Sequence, residues 1–190
     1  MYFIKEHSSY THEVKQSKFI AHLCPFSDFQ SLLEQLKDEH TKARHFVTAF
    51  RYLNEHNQIV EHSSDDGEPR GTSGKPSLMV LQGVDLINSA VIVVRYFGGT
   101  KLGTGGLVRA YSDAVNGVLE NAQFFEYKKE KSLQIEIEYS QLRLVEYECE
   151  LLEIVILEKH FDEKIIYTLK AQEQDMDDFL EKVQRVVKVL

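Results

Sequence analysis

All ten glycines of the chain lie between Gly67 and Gly117. Glycine reaches backbone conformations closed to other residues and lets one backbone approach another, or a ligand, closely. Special backbone geometry is therefore expected to concentrate in this one window. The densest part of the window, Gly98, Gly99, Gly103, Gly105 and Gly106, follows a run from Ala90 to Phe97 that is apolar except for Arg95. Such a run reads as a central strand. Beyond the glycines, Leu107, Tyr111, Ala114/Val115 and Val118/Leu119 recur at helical spacing. Strand, glycine turn and helix follow one another in that order.

The flanks carry ordinary periodic patterns. Val14 to Leu23 alternates in part and predicts a strand or hairpin. Ser27 with Gln30 forms an S-x-x-Q capping box ahead of a helix whose Phe29, Leu32, Leu33 and Leu36 share a face. His45 to Leu53 reads as a strand, Asn54 to Asn57 as a turn, and Gln58 to His62 as the returning strand. A polar loop from Ser63 to Pro76 leads into a short helix starting at Ser73 or Gly74, with Pro76 in its first turn. The last third reads strand (Leu133 to Tyr139), helix (Gln141 to Leu152), strand (Ile154 to Lys159), strand (Lys164 to Lys170), helix (Asp175 to Val183) and strand (Arg185 to Val189). That βαββαβ order is the ferredoxin-like arrangement. A short charged linker, Tyr127 to Lys131, predicts two domains of an α+β protein, 1–128 and 129–190.

The net charge is −8, unevenly spread. Residues 118–190 hold 17 acids and 10 bases, whereas residues 1–117 hold 13 and 12. The C-terminal part is therefore a poor general binder of polyanions. From Leu86 to Ser112 there is no acid at all, while Arg95, Lys101 and Arg109 are present. The one long acid-free basic stretch thus coincides with the richest glycine segment. Cys24 and Cys149 stand far apart in no ligand spacing, so buried thiols in a reducing compartment are expected. No run approaches the roughly 20 apolar residues of a membrane span, and a cytoplasmic location is expected.

Two motifs carry chemistry. In Arg95-Tyr-Phe-Gly-Gly-Thr-Lys-Leu-Gly-Thr-Gly-Gly-Leu-Val-Arg109, the glycines allow several N–H groups to converge, and a helix N-terminus adds partial positive charge. Both favour an anion, commonly phosphate. Gly98, Gly99, Gly103, Gly105 and Gly106 would form the cradle, Thr100 and Thr104 would add hydroxyls, and Lys101 a mobile charge. The spacing is neither GxxxxGK[ST] nor GxGxxG, which excludes a P-loop or dinucleotide reading by motif. The alternative is a tight turn that merely packs helix on sheet. The second motif, Asp65 to Pro76, sets Asp65, Asp66 and Glu68 beside Arg70 and Lys75. These carboxylates would hold Mg²⁺ or act as bases, or else cap turns and pair with the neighbouring cations. A metal site of His45, His62 and Asp65 lacks any tight ligand spacing. No metal and no cofactor are expected otherwise, no nucleophile signature appears, and no catalytic residue is assigned.

Ala43-Arg-His45, Ser64-Asp-Asp-Gly-Glu-Pro69, Gly71-Thr-Ser-Gly-Lys-Pro76 and Val94-Arg-Tyr-Phe-Gly-Gly-Thr-Lys-Leu-Gly-Thr-Gly-Gly-Leu-Val-Arg-Ala-Tyr-Ser112 together resemble the IMPACT/YigZ family. The resemblance runs from about Lys18 to Leu119, with Ser73 where the family pattern has alanine. It adds Arg44 and His45 to the candidate site. It implies an N-terminal domain with the ribosomal-protein-like β-α fold of domain IV of elongation factor G. It also implies a ferredoxin-like C-terminal domain like that of the bacterial members. The eukaryotic relative regulates translation by competing for the activator of an initiation-factor kinase. Its partner-binding RWD domain is not seen in this sequence, so that mechanism is not expected here.

Together these features point to a non-enzymatic RNA- or ribosome-associated protein of translation control. Arg95, Lys101 and Arg109 would converge on phosphates, and Tyr96 and Phe97 would stack on bases or pack in the core. A second reading is an enzyme acting on a phosphorylated small molecule, with Mg²⁺ on the acidic loop. A third is a protein–protein adaptor using the acidic C-terminal part. Nothing signals membrane binding or DNA-specific readout.

Overall fold

The computed structural model describes all residues, Met1 to Leu190. Two compact units emerge, Met1–Tyr127 and Lys128–Leu190. In the first, the elements are β1 (Tyr2–Phe3), β2 (Ser8–Val14), β3 (Ser17–Pro25), α1 (Phe29–Glu39), β4 (His45–Leu53), β5 (Ile59–Ser64), α2 (Gly74–Gly83), β6 (Ser89–Tyr96), α3 (Gly103–Glu120) and β7 (Phe125–Glu126). Five strands form one antiparallel sheet in the order β2-β3-β6-β4-β5, and β1 pairs with β7.

The central place of β6 follows from its composition. Side chains alternate across a strand, and only a strand apolar on both faces can be buried from both sides. On one face, Val91 and Val93 join Phe19, Ala21, Leu23, Val47 and Ala49 under Leu81 of α2 and Leu107, Tyr111 and Val115 of α3. On the other, Ile92 and Val94 pack on Leu36, with Phe29, Leu32 and Leu33 of α1 alongside. The helical face read from Phe29 to Leu36 is thus the face α1 buries.

One local alternative resolves and one local expectation needs correction. Of the strand or hairpin read from Val14 to Leu23, the hairpin forms, pairing β2 with β3 and turned at Lys15 and Gln16 with φ of 47° and 64°. Positive φ at both central residues is the turn whose twist matches a hairpin. The Ser27–Gln30 capping box does not form. Phe26–Asp28 make a 3₁₀ turn and the helix starts at Phe29, so Ser27 sits one residue too early. Its hydroxyl donates to Asp28 Oδ1 at 2.8 Å, and Gln30 donates to Glu34 instead.

The second unit runs β8 (Glu130–Ile137), α4 (Leu142–Leu151), β9 (Val155–Phe161), β10 (Ile165–Gln172), α5 (Glu173–Val183) and β11 (Val187–Val189). Its antiparallel sheet has the order β11-β8-β10-β9. Ile135, Ile137, Ile165, Tyr167 and Leu169 face Val145, Met176 and Phe179 of the two helices. Helices and antiparallel strands place the chain in the α+β class. Both cysteines are free and buried, and burial pushes the thiols up to about 12 at Cys24 and about 11 at Cys149. No helix is long and apolar enough to cross a membrane.

Candidate functional site

The loop after β5 is organised by Asp65. Its carboxylate accepts from Gly71 N (2.7 Å), Ser73 N (3.2 Å), Ser73 Oγ (2.7 Å) and Gly74 N (2.9 Å). Burial alone would raise its pKa, but these donors favour the charged form and hold it below the usual carboxylate value. Two of them belong to the start of α2, whose first N–H groups have no intrahelical acceptor. Asp65 therefore caps α2 from a distance. Gly74 has a steric reason as well, because a Cβ there would lie 2.8 Å from the backbone of Ser64.

Asp66 and Glu68 go elsewhere. Asp66 Oδ2 accepts from Phe46 N at 2.6 Å, and the Asp66 carbonyl lies 2.7 Å from His45 Nδ1. Glu68 is buried, and its Oε1 accepts from Arg95 Nη1 and, at 2.9 Å, from the Tyr111 hydroxyl. His45 Nε2 stands 3.9 Å from the same oxygen. Burial and the Glu68 carboxylate push the Tyr111 hydroxyl pKa strongly up, so it stays a donor. The three acids thus serve three different partners, and no group of three His, Cys, Asp or Glu side chains is placed to hold a metal ion. Asp65, Asp66 and Glu68 are therefore not brought together as one carboxylate group, and neither are His45, His62 and Asp65. His62 stacks on Phe50, 5.2 Å between ring centroids.

Around this network opens a cleft of about 440 Å³, the size of a small-ligand site. Arg44, His45, Glu68, Arg95, Phe97, Lys101 and Thr104 all line it. Strands β4 and β6 position the first group: His45 pairs with Arg95 across the sheet, which brings both side chains to the α3 face. The Arg95 guanidinium lies 5.3 Å from the Phe19 ring centroid and 5.8 Å from that of Phe97. Its Nε is buried without an acceptor. Arg44 and Lys101 are exposed and make no ion pair, whereas Phe97 is 44% exposed at the rim.

The glycine segment is less uniform than its sequence suggests. Gly99 and Gly103 have φ of +88° and +73°, a region that strains other residues. Gly98 is required for a different reason: a Cβ there would meet the Gln16 carbonyl carbon at 2.0 Å. Gly105 and Gly106 are not part of the turn, because α3 begins at Gly103 and takes them into its first turn. Gly105 has open space and an ordinary helical backbone, so strain at this position is excluded.

Of the three cations expected to converge, Lys101 and Arg95 line the cleft, Arg95 ion-paired with Glu68, whereas Arg109 lines a separate depression with His12 and Asp113. Tyr96 points to the opposite face, its hydroxyl 2.8 Å from His40 Nδ1, which leaves only Phe97 available to stack. Thr104 lines the cleft; Thr100, Arg70 and Lys75 do not. Sequence reasoning assigned Tyr111 to packing alone and missed its hydrogen bond to Glu68. A hydroxyl in place of phenylalanine on a buried helical face is the signal, since such a group requires a partner.

The family model described as the Impact N-terminal domain matches residues 15–119. An IMPACT family member of Haemophilus influenzae is 39% identical over 171 residues, covering 88% of this chain and 82% of the relative. The IMPACT family member YigZ of Escherichia coli is 37% identical over 137 residues, covering 70% and 67%. Among solved structures, the crystal structure of a hypothetical protein aligns with a TM-score of 0.68 at 27% identity, over 100% of this chain and 95% of that one. The match spans every cleft residue, from Arg44 to Leu107, and the chain belongs to the IMPACT family.

Proposed function

We propose that the protein acts in translation control in the cytoplasm as a non-enzymatic RNA- or ribosome-associated protein, with the cleft as its RNA contact. The observation that carries this reading is the company the cleft keeps. An exposed aromatic ring, Phe97, stands beside two unpaired cations, Arg44 and Lys101, at the N-terminus of an 18-residue helix. A stacking ring flanked by phosphate donors is what an unpaired nucleotide needs. The family's eukaryotic branch, a translation regulator by resemblance, favours the same reading. In it, 1–128 is the site-bearing domain with an elongation-factor-domain-IV-like fold, and 129–190 is a ferredoxin-like domain, a reading supported by its βαββαβ order.

A small phosphorylated ligand is the second reading, favoured by the cleft volume of about 440 Å³. Anisotropy titration with labelled single-stranded RNA over a salt series separates them. About two phosphate contacts give a log–log slope near −1.4, at roughly −0.7 each. Lys101→Ala lowers that slope by about 0.7, and Arg109→Ala leaves it unchanged. A parent protein that binds no RNA at low salt, yet saturates with a mononucleotide, refutes the RNA reading.

A further inference from the structure

The RNA reading leaves two polar groups in the cleft unexplained. The first is Arg95, 92% buried as the complement of its 8% side-chain exposure. Its Nη1 goes to Glu68, and its Nε has no acceptor. A guanidinium that gives Nη1 to one carboxylate keeps the Nε–Nη2 edge, which matches two oxygens of a second anion. A buried donor without a partner is costly in a finished structure, and Arg95 faces the cleft that the N-terminus of α3 adjoins.

The second is His45. A carbonyl oxygen can only accept, so the 2.7 Å contact with the Asp66 carbonyl fixes the ring proton on Nδ1. In the neutral ring Nε2 is then an acceptor. The Glu68 carboxylate oxygen that stands 3.9 Å from it is an acceptor as well. No protein donor satisfies Nε2, and it too lines the cleft.

Resting on the RNA reading above, we propose that the cleft seats one unpaired ribonucleotide of an RNA strand and distinguishes it from deoxyribonucleotide. The Arg95 edge, Lys101 and the N-terminal N–H groups of α3 receive its phosphate, while His45 Nε2 accepts a hydrogen bond from the ribose 2′-hydroxyl. The 2′-hydroxyl is the one group that separates RNA from DNA at a given position. Glu68 does not repel the phosphate, because its charge is matched by Arg95. Its role is to hold the arginine edge in place. The arrangement sets a donor edge and an acceptor side by side, as a phosphate next to a sugar hydroxyl requires.

The test uses the full chain and three labelled oligomers of one sequence: RNA, DNA and 2′-O-methyl RNA. The methylated strand keeps the sugar conformation of RNA and carries a methyl group in place of the donated hydrogen. RNA is expected to bind about tenfold more tightly than DNA, the weight of one hydrogen bond to an otherwise unpaired acceptor. The 2′-O-methyl strand should bind like DNA, and His45→Ala should bring the three together. The Arg95 Nε–H resonance should move when RNA is added. Equal RNA and DNA affinity in the parent, or an RNA preference kept by the methylated strand or by His45→Ala, overturns the hydroxyl assignment and leaves RNA contact standing. An unmoved Arg95 resonance overturns the phosphate assignment. Failure of all three strands to bind at low salt overturns the RNA reading itself.

Discussion

Replacing Glu68 by leucine tests whether the buried network is the structural foundation of the cleft. Glu68 Oε1 is the acceptor for both Arg95 and the Tyr111 hydroxyl, and all three side chains are buried. Removing one partner of a buried ion pair leaves the other charge uncompensated, at about 3–5 kcal/mol. Tyr111→Phe alone removes one hydrogen bond and should cost about 1 kcal/mol. In the Glu68→Leu background the tyrosine hydroxyl is already stranded, so Tyr111→Phe should there be neutral or stabilising. The cycle must therefore be non-additive by about 1–3 kcal/mol. Adding Arg95→Met to Glu68→Leu should recover most of the loss, since an apolar pair carries no desolvation penalty. Urea unfolding, followed at the amide signals of β3, β4 and β6, reads the Met1–Tyr127 unit alone. Parent-like stability of Glu68→Leu, or a cycle that adds within 0.5 kcal/mol or so, refutes the network as drawn.

Three other outcomes are expected. Burial, then the neighbouring charges of His7 and His40, lower His22 to about 4, against a smaller opposing effect of Glu39. The unfolded chain binds that proton first, so stability should fall by about 3 kcal/mol as pH drops from 6.5 toward 4 and level off below; a His22→Gln variant with the same acid loss would place its origin elsewhere. Gly98→Ala should disrupt the site by collision with Gln16, whereas Gly105→Ala should stabilise α3 by up to about 1 kcal/mol; thermal melts that rank the two variants the other way contradict the geometry. A fragment of residues 1–127 should fold cooperatively, having its own sheet and core; a molten fragment beside a sound full chain shows that the unit is not autonomous.

Legibility in the sequence tracked how local each determinant is. β4 runs from His45 to Leu53 and β6 from Ser89 to Tyr96, close to the bounds read from apolar pattern alone, because burial on one or both faces dictates side chains every second residue. The βαββαβ order of residues 130–189 was equally readable. The start of α1 was not. The S-x-x-Q signature is present, yet a 3₁₀ turn at Phe26–Asp28 shifts the helix start, and such a shift depends on how the preceding strand exits the sheet. The glycines show the same division. Gly98 is fixed by the Gln16–Ser17 backbone some eighty positions earlier in the chain, and no local pattern reveals that approach.

The electrostatics of the site failed for the same physical reason, and instructively. Charge counted along the chain made Leu86–Ser112 an acid-free basic segment, so Arg95, Lys101 and Arg109 looked like a free cationic cluster. A buried cation, however, recruits a counter-charge from wherever the fold brings one, since leaving it bare in the interior is prohibitive. β6 buries Arg95, and the loop after β5 delivers Glu68 to it. Arg109 meets the opposite constraint: on α3, two positions beyond the buried Leu107, it turns away from the cleft toward Asp113 and His12. Of the cluster only Lys101, held at the surface by the turn, remains an unpaired cation, and Arg44 joins it from a separate strand entrance. Burial thus turned one member of the apparent cluster into the anchor of the pocket, and helical phase removed another. The cleft that results is set by a paired arginine edge and a tautomer-fixed histidine, not by an excess of positive charge.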